Sequence, residues 1–272
     1  SSMPTNLVHR AKLLRLRGMP IYRMLQLEEA LYRADDRSWL LTNTLDDNAA
    51  RVGGGGGEHE TVHTAEATSA AAAIVLGISG KPEELVHVER ARAARVPLIR
   101  RFTGGGTVVV DEQTLFVSFI VAGGALPDVP AYPEPILSWT GGVYADAVRA
   151  CGGDGFQVNA NDYCIGDKKF GGNAQAISGK RWLHHTSVLW SYDAQRMQLL
   201  RMPARQPDYR QQREHGDFVK GLAESMPCAQ ADEFVDALVR AASGRLDLQP
   251  ATLDEALHVL QMPHRRVTQL LV

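Results

Sequence analysis

The chain has 272 residues and is 44% hydrophobic, enough for a sizeable core in one large domain or two small ones. A formal net charge of −2 implies no bulk electrostatic attraction to nucleic acid, though it leaves room for a local basic patch, and no apolar run is long enough to span a membrane. The three cysteines, Cys151, Cys164 and Cys228, are widely spaced and include no CxxC; they form neither a zinc pattern nor a disulfide framework and fit a reducing compartment, cytoplasm or mitochondrion.

No acidic residue precedes Glu28, whereas Arg10, Lys12, Arg15, Arg17 and Arg23 all do. Two readings fit this basic stretch. One is the remnant of an organelle transit peptide. The other is a first strand over 12–16, a Gly18-Met19-Pro20 turn and a helix from Tyr22, whose Met24, Leu25, Leu27, Leu31 and Tyr32 form one stripe with Glu28 and Glu29 beside it. The second is favoured because the stretch runs straight into that helical pattern. A short strand at 39–41 follows. Periodicity is then lost over 43–70, which includes the glycine run 53–57 and reads as a flexible insertion outside the chemistry.

Residues 72–76 predict a buried strand ending at Gly77, and Pro82 opens a helix over about 82–94 that Pro97 ends. Strands are expected at 98–102, 108–110 and 115–121, the last two joined as a hairpin through Asp111-Glu112-Gln113-Thr114. Pro135 starts a helix that Gly152-Gly153 closes. Strands at 163–165, 168–170, 173–178 and 182–190 form a meander, and residues 231–272 carry two further helical stripes. Strands interleaved with helices predict an α+β fold with a mixed, mostly antiparallel sheet flanked by helices.

Two stretches carry chemistry. Arg100-Arg101-Phe102-Thr103-Gly104-Gly105-Gly106-Thr107-Val108 sets three glycines between strand residues, behind two arginines. Bare main chain there either makes a tight bend or lets N–H groups approach a ligand, with the arginines as charge for a carboxylate or phosphate. It is neither a Walker A loop nor a GxGxxG before a helix. The second stretch runs from Asn161-Asp162 through Lys168-Lys169 to Gly171-Gly172-Asn173. Alternation sends the lysines to opposite faces, so both sit on an exposed edge strand or one enters a cleft to meet developing anionic charge. His184-His185 follows and is likewise split, one imidazole toward a pocket wall and the other exposed; no partner at metal spacing accompanies it.

Taken in order, Arg-Arg-x-[ST]-Gly-Gly-Gly-x-Val, Asn-Asp, Gly-x-[RK]-Lys-x-x-Gly-x-Ala and His-His resemble lipoate–protein ligase A and its relatives in the biotin/lipoate ligase superfamily, over about residues 12–215. The resemblance implies that fold and a catalytic domain over 1–230, followed by a short helical tail over 231–272. It implies ATP-dependent formation of lipoyl-AMP and transfer of the lipoyl group to a lysine of an acceptor, using ATP, Mg²⁺ and lipoate. Lys169 would be catalytic. Arg100, Arg101, Thr103, Gly104, Gly105, Gly106, His184 and His185 would bind substrate, and Asn161, Asp162, Gly171, Gly172 and Asn173 the nucleotide, with Asp162 also helping to hold Mg²⁺. Implied acceptors are the lipoyl domains of 2-oxoacid dehydrogenase E2 subunits and the glycine-cleavage carrier protein; no nucleic acid and no membrane is implied.

The chain departs from the family in places. Gly77-Ile78-Ser79-Gly80-Lys81 stands where the family usually has Gly-Arg-x-Gln-Asn, and His184-His185-Thr186-Ser187 where it has His-His-Gly-Thr. The stretch after residue 215 is too short for the separate C-terminal domain of the bacterial ligases, so an accessory chain is one expectation. Two alternatives stand beside the ligase: a lipoyl or octanoyl transferase without adenylation, and a non-catalytic relative that binds lipoate or the acceptor. The transferase needs a cysteine nucleophile, whereas Cys151 and Cys164 read better as small buried hydrophobes.

Overall fold

A computed structural model describes residues 9–45, 72–204, 206–226 and 230–271. Two sheets and flanking helices make an α+β architecture. The larger sheet has eight strands: β1 (Arg10–Arg17), β2 (Ser38–Thr44), β6 (Thr114–Val121), β7 (Phe156–Asn159), β8 (Asp162–Ile165), β9 (Lys168–Ser178), β10 (Arg181–Leu189) and β11 (Asp247–Pro250). Their order is β11-β1-β2-β6-β10-β9-β8-β7. The smaller sheet contains β3 (Ala72–Leu76), β4 (Leu98–Arg100), β5 (Val108–Asp111) and β12 (Gln269–Leu270), in the order β12-β4-β3-β5. Pairing is parallel at β1/β2, β1/β11 and β3/β4 and antiparallel elsewhere, the mixture that the sequence predicts.

One face of the large sheet is covered by α4 (Pro133–Ala150) and α7 (Ala231–Ser243). Pro133 suits the first turn of α4, and its Ile136, Val143, Tyr144, Ala147 and Val148 point inward at helical spacing. The other face is covered by α1 (Ile21–Ala34) and the small sheet, with Ala256 and Val259 of α8 (Leu253–Leu260) packed beside them. Arg181 at the start of β10 donates to the carbonyls of Leu31, Tyr32, Asp36 and Arg37, supplying donors that the last turn of α1 and the loop after it lack. Among the described residues no helix is long and apolar enough to cross a membrane.

Several boundaries differ from expectation. The basic stretch is β1, and β2 runs on through Asn43 and Thr44 into the range read as an insertion; residues 46–70 of that range lie outside the described residues, as does Cys228. The helix expected over 82–94 is two short ones, α2 (Pro82–Leu85) and α3 (Val88–Ala93). It breaks because Val86 bridges to Leu200 and the His87 amide donates to the Leu199 carbonyl. The expected hairpin at 111–114 does not form: β5 pairs with β3 and β6 with β2 and β10, so this turn carries the chain from one sheet to the other. Thr114 Oγ1 accepts from the Asp111 amide and closes the turn. The tail holds its two helices and also β11 and β12, strands too short and polar to show as alternation.

Candidate functional site

A cavity of about 560 Å³ opens between the two sheets. Val75 of β3, Val108 and Val109 of β5, Phe116 of β6 and Ala174 of β9 give it apolar walls. Asn161, Asp162, Lys169, Gly172, Asn173, His185 and Ser187 contribute from the strands and turns of the large sheet, Arg101, Gly105 and Gly106 from the loop after β4. Leu200, Arg201, Gln206, Arg210, His215 and Phe218 come from the segment after β10, which is irregular apart from the short helices α5 (Ala194–Met197) and α6 (His215–Phe218) and two 3-10 turns.

Lys169 reaches this cavity through an irregularity in its strand. Tyr163 pairs with Gly171 and Cys164 with Lys169, which leaves Phe170 as an extra residue, a β-bulge. Phe170 is buried in the core beneath α4, and Gly171 faces the same way, toward Tyr163 and Thr186. Strict alternation would put Lys169 on the face of Gly171; the bulge puts it instead on the face of Gly172, where a Cβ would lie 3.5 Å from Lys169 Nζ. Lys168 is exposed to solvent. Lys169 Nζ forms an ion pair with Asp162 Oδ1 at 2.7 Å, and Asp162 Oδ2 accepts from the Tyr209 hydroxyl at 2.7 Å.

The triple-glycine loop is held from behind. Arg101, 3% exposed, donates from Nε to Thr103 Oγ1 (2.9 Å), from Nη1 to the Val75 carbonyl (3.4 Å) and from Nη2 to the carbonyls of Gly104 and Gly106 (2.8 and 2.9 Å). Gly105 adopts φ +98°, and the Cβ position at Gly77 lies 2.3 Å from the Gly105 carbonyl oxygen. Both positions therefore require glycine. Cβ positions at Gly104 and Gly106 meet nothing within 4 Å, so the loop presents bare main chain to open space. Burial lowers the proton affinity of the Arg101 guanidinium to about 10, opposed by the nearby Glu28 charge.

β10 separates the two histidines. His185 lines the cavity; its Nδ1 lies 2.9 Å from both oxygens of Glu28, and its ring tilts against Phe116. His184 is on the other face, fully buried rather than exposed as the sequence reading had the second imidazole. Desolvation, with a smaller contribution from His185, holds its pKa down to about 3, so it is neutral. Its Nδ1 accepts from Gln175 Nε2, which leaves Nε2–H facing the Tyr163 hydroxyl; that hydroxyl donates to Thr140, which donates in turn to the Ile136 carbonyl.

Of the residues singled out in the sequence, Lys169, Arg101, Gly105, Gly106, Asn161, Asp162, Gly172, Asn173 and His185 are brought together at one cavity. Arg101 spends its donors on the loop, and Asn173 turns its amide to Asn161 and Thr186, offering main chain instead. Arg100, Thr103, Gly104, Gly171 and His184 do not line the cavity. Arg100 reaches back to the Gly80 carbonyl, Thr103 is buried against Arg101, and Gly171 and His184 face the core under α4. Lys81, at the departure from the family pattern, is solvent-exposed and paired with Glu84. Sequence reasoning missed Tyr209, Arg201, Arg210 and His215, which no periodicity or motif marks, and Glu28, whose place beside an apolar stripe was its one signal.

Asp162 is the carboxylate that lines the cavity, and among the described residues no group of three or more His, Cys, Asp or Glu could hold a metal ion. This donor set makes no protein-only metal site. It fits Mg²⁺ held jointly by one carboxylate and the phosphates of a nucleotide. Neither described cysteine is activated: burial pushes both thiols up, and Cys164 lies fully buried behind Tyr209.

A family model of the lipoyl protein ligase A/B catalytic domain matches residues 51–243. Among curated proteins, the chain is 29% identical over 181 residues to a Plasmodium falciparum protein named inactive lipoate–protein ligase 2, covering 55% of this chain and 47% of that one. The chain spans about half the length, or less, of the curated relatives it matches. In fold it is similar to a lipoate–protein ligase A bound with ATP (TM-score 0.67, 21% identity, covering 93% of this chain and 92% of that one). It is also similar to a bi-partite lipoate protein ligase from Thermoplasma acidophilum described with its E2 lipoyl domain (TM-score 0.68, 20% identity, 93% and 90% covered). With a family match over most of its length and a cavity where the family's motifs converge, the chain belongs to the lipoyl protein ligase A/B catalytic domain family.

Proposed function

We propose that the chain is an ATP-dependent lipoate–protein ligase. In the first step the lipoate carboxylate attacks the α-phosphate of ATP and pyrophosphate leaves. In the second, a deprotonated acceptor lysine attacks the acyl carbonyl of lipoyl-AMP, an amide forms and AMP leaves. The observation that carries this reading is the sharing of one apolar-walled cavity by the Lys169 ammonium and the bare main chain of Gly105 and Gly106. Two anions must meet in the first step and negative charge shifts in both, so a fixed cation and preorganised N–H donors are the groups that the chemistry needs.

In this reading Lys169 exchanges Asp162 for the acyl and phosphate oxygens, and the apolar walls take the acyl chain. Asn161, Asp162, Gly172 and the main chain of Asn173 face the nucleotide. When bound beside Asp162, Mg²⁺ would neutralise the polyphosphate. Arg101 acts by holding the loop, not by touching substrate. The catalytic body is proposed over 1–230, and 231–272, expected as a tail, completes it by adding β11 and β12 to the sheets and α7 to the core. The acceptors are lipoyl domains, of 2-oxoacid dehydrogenase E2 subunits or of the glycine-cleavage carrier, and an accessory chain of the kind implied by a bi-partite ligase is part of the proposal.

A non-catalytic, lipoate-binding relative is the second reading. It is favoured by Lys81, which puts no cation in the cavity where the family usually carries an arginine. Incubation with lipoate, ATP, Mg²⁺ and a lipoyl domain, followed by mass spectrometry of the domain and measurement of AMP, separates the two. Lipoylation with stoichiometric AMP supports the ligase. Lipoate binding without AMP supports the second reading, and the absence of both removes the first.

A further inference from the structure

Thr186 of β10 stands where the family pattern has a glycine; it is fully buried and does not line the cavity. In register it lies directly opposite Asn173 of β9. Its hydroxyl donates to Asn173 Oδ1 at 2.6 Å, and Asn173 Nδ2 donates in turn to the Asn161 carbonyl at 2.9 Å. The direction of this chain of hydrogen bonds is fixed at both ends. His184 Nε2, 3.5 Å from the Thr186 hydroxyl, already carries a proton, so the hydroxyl hydrogen has Asn173 as its acceptor. The opposite orientation of the Asn173 amide would set Oδ1 against the Asn161 carbonyl, acceptor facing acceptor. The carbonyl held in this way belongs to the peptide bond that joins Asn161 to Asp162. It lies in the two-residue turn between β7 and β8, where Asn159 pairs with Asp162. Ala160 in that turn has φ +52°, a left-handed conformation that is disfavoured for a residue with a Cβ and persists where its surroundings hold it.

We propose that Thr186 is a positioning residue for the Asp162 side of the cavity: through the Asn173 amide it holds the strained turn that brings Asp162 to Lys169. Asp162 Oδ1 pairs with Lys169 Nζ at 2.7 Å, and Asn161 and Asp162 both line the cavity. Asn173 also meets the opposite wall with its main chain, since its carbonyl oxygen lies 3.5 Å from the Cβ position at Gly105. One amide, oriented by one buried hydroxyl, therefore sets the Asp162 turn relative to the glycine loop. The hydroxyl is itself held in place. Thr186 is β-branched, and a Cβ at Gly171 would lie 3.1 Å from its Cγ2, so the methyl is packed and χ1 has little freedom to turn the hydroxyl away from Asn173. A glycine at position 186 could not make this link. The inference rests on the ligase reading for the identity of the nucleotide that meets Asp162, but not for the hydrogen-bonded chain itself.

The test combines two measurements on the full chain. NMR of the side-chain amides reads exchange of the Asn173 Nδ2 protons without any ligand. Calorimetry with ATP and Mg²⁺, and separately with lipoate, reads binding in the cavity. The Asn173 amide should exchange slowly in the wild type and lose that protection in Thr186→Val, which keeps the branching but has no hydroxyl. Loss of a hydrogen bond that leaves its buried partner unsatisfied corresponds to about tenfold weaker ATP binding, while lipoate binding should hold within about twofold. Thr186→Ser should restore both the amide protection and the ATP affinity. Added to Asn173→Ala, Thr186→Val should weaken ATP binding no further, because the two residues act through one link. A fast-exchanging wild-type amide, a folded Thr186→Val protein that binds ATP as the wild type does, equal weakening of lipoate, or a Thr186→Ser protein no better than Thr186→Val overturns the inference. If Thr186→Val does not fold, Thr186→Ala is read in the same way, and if neither folds the wild-type amide decides alone. If the wild type binds no ATP, the ligase reading fails; loss of the amide protection in Thr186→Val then still upholds the positioning role, and its persistence overturns it.

Discussion

At the scale of single residues, the account turns on which side chains face the cavity. Lys169 and Lys168 are chemically identical neighbours separated by alternation. Removal of one donor to a developing oxyanion in comparable sites lowers the rate about 10²–10³-fold, and that loss in adenylate formation is expected for Lys169→Ala. Lys168→Ala, exposed, should stay within about twofold. Pyrophosphate release with lipoate and ATP checks both. His184 gives a prediction of another kind. Its folded pKa is about 3 against an ordinary 6.5, so between those values the unfolded chain binds a proton that the folded chain refuses. Its contribution to stability is intact above pH 6.5 and is lost as pH falls toward 3, at up to about 1.4 kcal/mol per pH unit for one proton. Urea unfolding across this window should show that slope in the wild type and a shallower one in His184→Gln, if that variant folds. Residue types and motif order made Lys169, Asp162 and His185 legible in the sequence. Glu28 and Tyr209 were not, because a buried acid on an amphipathic helix and a tyrosine in an irregular segment look ordinary until the fold brings a partner to them.

At the scale of elements, two departures from regularity build the site. The Phe170 bulge rotates Lys169 from the α4 side of the sheet to the cavity side. The β4–β5 loop packs its Gly105 carbonyl against Gly77 at the end of β3. A methyl group at Gly77 would meet that carbonyl at 2.3 Å, so Gly77→Ala must push the loop off β3 and unsettle the Arg101 hydrogen bonds. The expected result is a loss of about 1–3 kcal/mol in denaturant unfolding, as for other overpacked positions, together with weaker nucleotide and lipoate binding. Unchanged stability with unchanged binding would mean that the loop does not need this contact. Strand positions were readable from apolar runs, since burial imposes them. The bulge was not, because one extra residue within a β-rich run leaves the composition unaltered. The supposed hairpin at 111–114 failed for a related reason: a tight turn fixes reversal of direction only when the flanking strands find each other, and here each finds a better partner in a different sheet.

At the scale of the whole molecule, the C-terminal segment is woven into the body. β11 lies parallel to β1, and α7 sets Phe234, Val235 and Leu238 in the core beneath the large sheet. Glu29, buried on α1, accepts from the amides of Val267 and Thr268. Helical stripes in the sequence announced α7 and α8, but their docking depends on long-range pairing that no local pattern encodes. Truncation of a buried phenylalanine typically costs about 3–5 kcal/mol, so Phe234→Ala should lower the unfolding midpoint markedly although it lies outside the cavity. A thermal melt within about a degree of the wild type would show the segment to be dispensable. Lys169 and the glycine loop share the cavity between the sheets, the proposed place of the adenylate. The most direct test of that placement is a crystal structure with a hydrolysis-resistant analogue of lipoyl-AMP. The account predicts the acyl phosphate between Lys169 Nζ and the main chain of Gly105 and Gly106, with the acyl chain running past Ala174 toward His185. An analogue seated elsewhere, with Lys169 still paired to Asp162 and the glycine loop untouched, would contradict it.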